Sequence, residues 1–456
     1  MDTKEYVGEL VKRARAAQQE FETYTQERVD ACVRAIGKAV YDNADPLAKL
    51  AAEETGMGLY EDKIIKNTGK AKAVWHALKH EKSRGIIGYD EEKCLYQIAK
   101  PIGVVGAVTP TTNPNTTPMH NSMIALKGGN AIIICPHPRA KKSGKITVDL
   151  MREALGKVGA PMDLVQVVEE PTMEASGLVM SMTDACISTG GPGMVKVAYS
   201  SGKPAFGVGA GNVQCLVDRD VDLAQVAPKI VRGRTYDNGV LCTCEQCVIC
   251  PREKAEELTA LLQLHGALYV SDHEELAAFR RAAFPGGDLN KDFVGQSAYK
   301  IGKMAGLPVD ESTKLILVKA EGCGADELFT KEKLCPILTL CVYDTWEEAV
   351  EIAKANLEIM GKGHSCSLHS NDRGHIEYAA ENICVSRFVV NQIGSSALGG
   401  AFDNGLNPTS TLGCGTWGNN SISENLWYKH LINVSRLAYV IPGAAIPGDE
   451  EIWGGN

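Results

Sequence analysis

Short apolar runs that alternate with helix-patterned segments constrain this chain more than any other feature. Residues 103–108 (GVVGAV) end at Thr109-Pro110 and read as a strand buried on both faces. A helix is predicted next, with Met119, Met123 and Leu126 on one side and Gly128-Gly129 as its stop. Residues 131–135 are the next strand and 141–155 the next helix. Residues 164–168 and 185–188 are two further strands around a helical segment. This alternation predicts an α/β chain with a parallel, doubly wound sheet, an architecture that commonly takes a dinucleotide.

The segment before these runs reads as helices, with Val29, Cys32, Val33, Ile36 and Val40 on one apolar face. A second α/β unit is expected from Asp237, with a strand at 246–249 and a helix at 251–265. A last strand is expected at 437–441. A length of 456 residues asks for two or three domains. The composition is 44% hydrophobic and 23% charged, which suits a soluble globular chain, and the net charge of −9 argues against nucleic acid or an anionic membrane as partner. There is no apolar run of about 18 residues and no apolar signal core, so a cytoplasmic protein is expected. Fifteen cysteines in so long a chain are expected to be free thiols in a reducing compartment.

Cys242 follows an Asn238-Gly239 turn signal and precedes an apolar run. A thiol at such a loop-to-strand junction can face a cleft and act as a nucleophile. Asn113, in the Thr109-Pro110-Thr111-Thr112-Asn113-Pro114 stretch after the first strand, is placed at a strand end, where an amide could donate to a developing oxyanion. The basic stretch 136–142, with His137, Pro138 and Arg139, sits at a helix mouth and suits a phosphate or ribose. Ser188, Gly190, Gly191 and Gly193 form a turn after the fourth strand that could approach a pyrophosphate. Cys244, Cys247 and Cys250 are spaced C-x2-C-x2-C, which leaves a metal or redox protein as a rival reading. No metal site is expected, because residues 248–249 read as sheet rather than a cluster loop.

Taken together, residues 109–114, 136–142, 199–212, 237–246 and 412–425 resemble the aldehyde dehydrogenase superfamily, in its CoA-acylating branch. Within that branch the likeness is strongest to the CoA-dependent succinate-semialdehyde enzymes, through AQQEF, EETGMGLYEDK and the ending EEIWG. The resemblance implies two doubly wound domains plus a small oligomerisation element. Residues 1–236 would bind the dinucleotide, with an oligomerisation hairpin near 93–102. Residues 237–427 would be catalytic, and 428–456 an oligomerisation segment of a homodimer or homotetramer. It makes Cys242 the nucleophile and Asn113 the oxyanion donor. Thr109, Pro110, Thr111, His137, Pro138, Arg139, Ser188, Gly190, Gly191, Gly193, Gly209 and Glu332 would hold the cofactor, with Glu332 on the nicotinamide ribose. Hydrolytic members carry a water-activating glutamate where residues 207–212 here have no carboxylate, which implies that CoA takes the acyl group. Residues 137–140 lack the acidic residue of many NAD-specific members, so NADP is admissible beside NAD.

Lys70 matches a lysine of the succinate-semialdehyde enzymes and could pair with an anionic tail. Thr243, His364, Ser395 and Ser396 are further substrate-binding candidates. The expected substrate is succinate semialdehyde, then sulfoacetaldehyde, then a short neutral aldehyde such as acetaldehyde, propionaldehyde or butyraldehyde. A crystallin-like structural role on the same scaffold is the other rival.

Overall fold

A computed structural model describes residues 2–454. Four helices open the chain: α1 (Thr3–Phe21), α2 (Gln26–Asp42), α3 (Ala44–Thr55) and α4 (Tyr60–Leu78). The Thr25 hydroxyl caps α2 by accepting from Arg28 N, and the apolar face predicted for that helix is buried as expected. A hairpin follows, of β1 (Gly85–Asp90) and β2 (Leu95–Pro101).

The first parallel sheet holds β3 (Val104–Thr109), β4 (Ala131–Pro136), β5 (Val165–Val167), β6 (Ala185–Thr189) and β7 (Ala205–Val208), in the order β5-β4-β3-β6-β7. Helices α5 (Thr116–Lys127), α6 (Lys141–Lys157), α7 (Met173–Met182) and α8 (Pro192–Tyr199) connect its strands. Every residue of α5 is buried. It packs on β3 and β4 on one side and on α2 and α4 on the other, so it presents no face to solvent.

The second sheet holds β8 (Val213–Val217), β9 (Glu245–Pro251), β10 (Ala267–Val270), β11 (Leu315–Lys319), β12 (Ile337–Tyr343), β13 (Cys366–His369) and β14 (Phe388–Val390). Its order is β10-β11-β12-β9-β8-β13-β14, all parallel. The division expected at 236/237 therefore shifts. Strand β8 and the helix after it, α9 (Leu223–Thr235), precede Asp237 yet belong with the second sheet, so the two sheets divide between Val208 and Val213.

The last strand, β15 (Ile432–Ala438), starts earlier than its apolar content suggested. It pairs with β2 within the chain, Ala438 opposite Leu95 and Val434 opposite Ala99.

Asn130 ties this small sheet to the first parallel one. Its side-chain oxygen accepts from Ile102 N at 2.7 Å and Gly103 N at 3.0 Å, and its amide donates to Ala125 O at 3.1 Å and Leu431 O at 2.8 Å. The side chain is fully buried, so truncation would strand amides and carbonyls with no water to replace the lost partner. Asn130→Ala is expected to lower unfolding free energy by about 3 kcal/mol or more, read as a lower urea midpoint at unchanged slope.

Candidate active site

A cavity of about 250 Å³ lies where helix α4, the loop after β3, the loop before β9 and residues 395–412 meet. Its lining brings together Lys70, Asn113, Cys242, Thr243, Ser395 and Ser396, all named from the sequence.

The loop carrying Cys242 begins with an uncommon backbone. Asp237, Asn238 and Gly239 are all left-handed, with φ of 50°, 53° and 69°. Asp and Asn tolerate that region better than other side chains, yet still at a cost. Asp237 is held there by four bonds. Its carboxylate accepts from Leu59 N at 2.7 Å, Lys66 Nζ at 2.6 Å and Lys63 Nζ at 3.1 Å, and its own N–H donates to Asp62 Oδ2 at 2.7 Å. The Asn238 amide donates to Gly295 O at 3.0 Å. Behind Cys242, a Cβ built on Gly211 would overlap the Cys242 carbonyl, so the chain leading into β8 touches the Cys242 loop directly.

Cys242 is half-buried. Burial, and next the Glu332 carboxylate, hold its thiol well above the usual range, and Arg387 pulls the other way. A group shifted this way favours the thiol over the more nucleophilic thiolate. The Asn113 amide makes one long contact, 3.4 Å to Thr112 Oγ1, and is otherwise free to donate.

Lys70 is half-buried, and its recorded partners are two backbone carbonyls, Gly399 O at 3.0 Å and Thr409 O at 2.9 Å. An ammonium has three donors, so one remains for the cavity. Burial lowers the Lys70 pKa to about 8, with Cys242 opposing and Lys66 adding to the shift. The Thr243 hydroxyl already donates to Ser395 O at 3.1 Å, and Ser396 Oγ to Ile393 O at 3.2 Å.

The residues expected to meet a nicotinamide cofactor gather at the carboxyl edge of the first sheet. Thr109 ends β3, with Pro110 and Thr111 just after it, and Ser188 lies at the end of β6, with Gly190 and Gly191 after that strand and Gly193 in the first turn of α8. A Cβ added at Gly191, Gly193 or Gly209 would meet nothing within 4 Å, and Ser188 Oγ is buried without a partner. This open, glycine-lined ledge with a spare hydroxyl fits a dinucleotide. Glu332 reaches the same region and accepts from Gly211 N at 3.0 Å, with burial raising its pKa to about 7.

The helix mouth at 136–142 is more committed than its basic sequence suggested. Glu54 of α3 already accepts from Lys142 N at 2.8 Å and from Ser143 N at 2.7 Å, and Lys141 pairs with Glu170 at 2.6 Å. Arg139 is exposed beside His137 and Pro138.

One expectation changes. His364 is fully buried with both ring nitrogens unpartnered, its pKa lowered to about 3 by burial, and it does not line the cavity. The cysteine series offers no common ligand geometry. Cys247 and Cys250 lie three apart along β9, so they face opposite sides of the sheet. Among the described residues no cluster of His, Cys, Asp or Glu could hold a metal ion. Sequence reasoning missed Lys66, Asp237 and Phe402. The Asp-Asn-Gly string marked a turn but not the charge pairs that hold it, and Phe402, exposed at the cavity wall, had no spacing signal at all.

Known proteins share this fold and much of this sequence. The profile of the Aldehyde dehydrogenase family matches residues 1–274. The succinate-semialdehyde dehydrogenase (acetylating) of Clostridium kluyveri is 49% identical over 454 residues, 100% of each chain. A sulfoacetaldehyde dehydrogenase from Acholeplasma sp is 41% identical over 97% of this chain and 93% of that one. The crystal structure of an acetylating aldehyde dehydrogenase from Geobacillus thermoglucosidasius superposes with a TM-score of 0.94 at 36% identity, covering 98% of both chains. The chain belongs to the aldehyde dehydrogenase family. Within it, the protein is a CoA-acylating aldehyde dehydrogenase, an oxidoreductase whose substrates are an aldehyde and CoA.

Because Gly211 has no room for a side chain against the Cys242 carbonyl, Gly211→Ala is expected to displace the Cys242 loop. A 1 Å misplacement costs on the order of 100-fold in rate, so kcat should fall steeply while the circular dichroism spectrum is retained.

Proposed function

We propose that the chain interconverts succinate semialdehyde, CoA and NADP or NAD with succinyl-CoA and the reduced cofactor. The observation that carries the substrate assignment is Lys70, a cation in the Cys242 cavity whose recorded partners are two carbonyls rather than a carboxylate. A carboxylate tail would take its remaining donor. Sulfoacetaldehyde, with a sulfonate in the same place, comes second, and short neutral aldehydes come third because they leave that donor unused.

The chemistry follows from the groups in place. Cys242 Sγ attacks the aldehyde carbon as its proton is lost, and the oxygen becomes an oxyanion. The Asn113 amide and the Cys242 backbone N–H donate to that oxyanion, and losing one such donor typically costs about 10²–10³ in rate. The nicotinamide, when bound, supplies the hydride acceptor. Thr109, Ser188 and the ledge of Gly190, Gly191, Gly193 and Gly209 would hold it, with Glu332 on its ribose. Collapse of the oxyanion leaves a thioester on Cys242. Residues 207–212 supply no carboxylate to activate water, which supports the CoA sulfur as the group that takes the acyl chain. Each step reverses, so acyl-CoA reduction runs through the same groups. For the assembly we favour a homodimer or homotetramer in the cytoplasm. Exposed Tyr89, Leu437 and Tyr439 on the small antiparallel sheet support burial against a second copy.

A panel of aldehydes, assayed with and without CoA and with each nicotinamide, tests the reading. Without CoA, reduced cofactor should appear as a burst of about one per active site with little turnover. Cys242→Ala should abolish the burst, and full turnover by that variant would end the proposal. Lys70→Ala should raise KM for succinate semialdehyde by about 10- to 100-fold, the worth of a charge-assisted bond, and leave propionaldehyde kinetics unchanged. The pH dependence has a definite sign. A lysine lowered to about 8 is charged below that pH and neutral above it, so KM for the anionic aldehyde should climb as pH passes about 8. KM for a neutral aldehyde should not follow that climb.

A further inference from the structure

We infer that Lys66 is a positioning residue that keeps the Cys242 loop and the Asn113 loop in register. The inference rests on the roles proposed above for those two side chains. Lys66 Nζ lies 2.6 Å from Asp237 Oδ2 and 3.3 Å from Thr112 O. Asp237 anchors the left-handed turn that leads into Cys242, and Thr112 is bonded directly to Asn113. One ammonium therefore reaches both loops that must cooperate on a single oxygen atom.

The Asn113 side chain needs that support. Its amide has only the 3.4 Å contact with its neighbour's hydroxyl, so its aim depends on where the backbone at Thr112 is placed. Lys66 cannot drift to do this work loosely. Its side chain is 9% exposed, and Asp237 is fully buried. Lys63 holds the same carboxylate oxygen but has no recorded bond to the Asn113 loop, so the bridge belongs to Lys66. An oxyanion donor displaced by even 1 Å loses much of its effect, on the order of 100-fold in rate. Because Lys66 also lines the cavity, the alternative role is direct binding of the substrate anion.

Transfer of an acyl group from succinyl-CoA to Cys242, without nicotinamide, separates the two. The Cys242 sulfur–acyl bond forms, the acyl–sulfur bond of CoA breaks, and the Cys242 proton leaves on the CoA thiol. Intact-protein mass and released CoA both report it. Lys66→Met is expected to slow this single turnover by about 10- to 100-fold at unchanged half-saturation, and Lys66→Arg to recover most of the rate. In an Asn113→Ala background the same Lys66→Met change should cost less than about 3-fold, since no amide is left to aim. A butyryl-CoA donor, which has no anionic tail, should show the same loss. Equal factors in both backgrounds, a change confined to half-saturation, or a loss seen only with the anionic donor would each overturn the inference. Thermal melting of each variant checks that the fold is retained, and Lys66→Arg keeps the test alive should Lys66→Met unfold. Wild-type acylation by Asn113→Ala alone would overturn the reading of Asn113 itself, a distinct failure.

Discussion

The buried carboxylate of Asp237 is the constraint on which the reacting end of the molecule depends. It is fully buried, in a turn whose backbone is left-handed at two residues that carry side chains. Such a turn would relax if nothing held it. Lys63 and Lys66 from α4 and the Leu59 amide before that helix hold it, while Asp62 takes the Asp237 N–H and pairs with Arg232 of α9 at 2.8 Å. Burying so many charges gains little net stability, because desolvation offsets most of the attraction, and burial with the neighbouring Lys66 charge lowers the Lys63 pKa to about 8. What the cluster supplies is registry. A helix of the N-terminal bundle, the Cys242 loop and the last helix before it can meet in one arrangement only, since removing any partner leaves an uncompensated charge.

Most of the first sheet could be read from its sequence because each of its strands is an apolar run closed by a turn signal. Strand β8 escaped for the opposite reason. One of its neighbours in the sheet, β9, is the next strand, but the other, β13, lies far along the chain, and no local pattern says which sheet a strand will join. The C-terminal strand shows the same limit. The apolar residues at 437–441 drew the expectation there, but pairing runs over Ile432–Ala438, and Val440 is left 90% exposed. Backbone pairing with β2 selected the strand, and hydrophobicity did not. Helix α5 was legible from Met119, Met123 and Leu126 and from its glycine stop, but its burial on every side was not.

At the site, the residues that touch one another through covalent neighbours were legible and those joined through space were not. Cys242, Asn113 and Lys70 sit in strings whose resemblance to known enzymes is direct, and the cavity unites them. The role of Asp237 depends on lysines about 170 positions away, 174 and 171 residues distant along the chain, which no spacing rule connects. The basic segment at 136–142 misled in a different way. Its charge was read correctly, but two of the amides at the helix mouth were already given to Glu54, a partner again supplied by tertiary packing.

The electrostatics of the cavity then make sense of a protein that carries a net charge of −9 overall. A negative surface repels an anionic aldehyde at long range, but that repulsion is screened within about 8–10 Å at physiological salt. Inside the cavity the balance reverses. Lys70 and Lys66 line its wall, and Arg387 is the charge that opposes the upward shift of the Cys242 thiol. Two consequences follow from one arrangement. On the proposed substrate, an anionic tail would restore to Lys70 the counter-charge that its two carbonyl partners do not supply, and so strengthen the protonated state that binds it. On the proposed role of Cys242, burial and Glu332 would keep the sulfur a thiol between turnovers, and the thiolate is the form that oxidises. Selectivity for an anion and restraint of the sulfur would then come from the same desolvated wall.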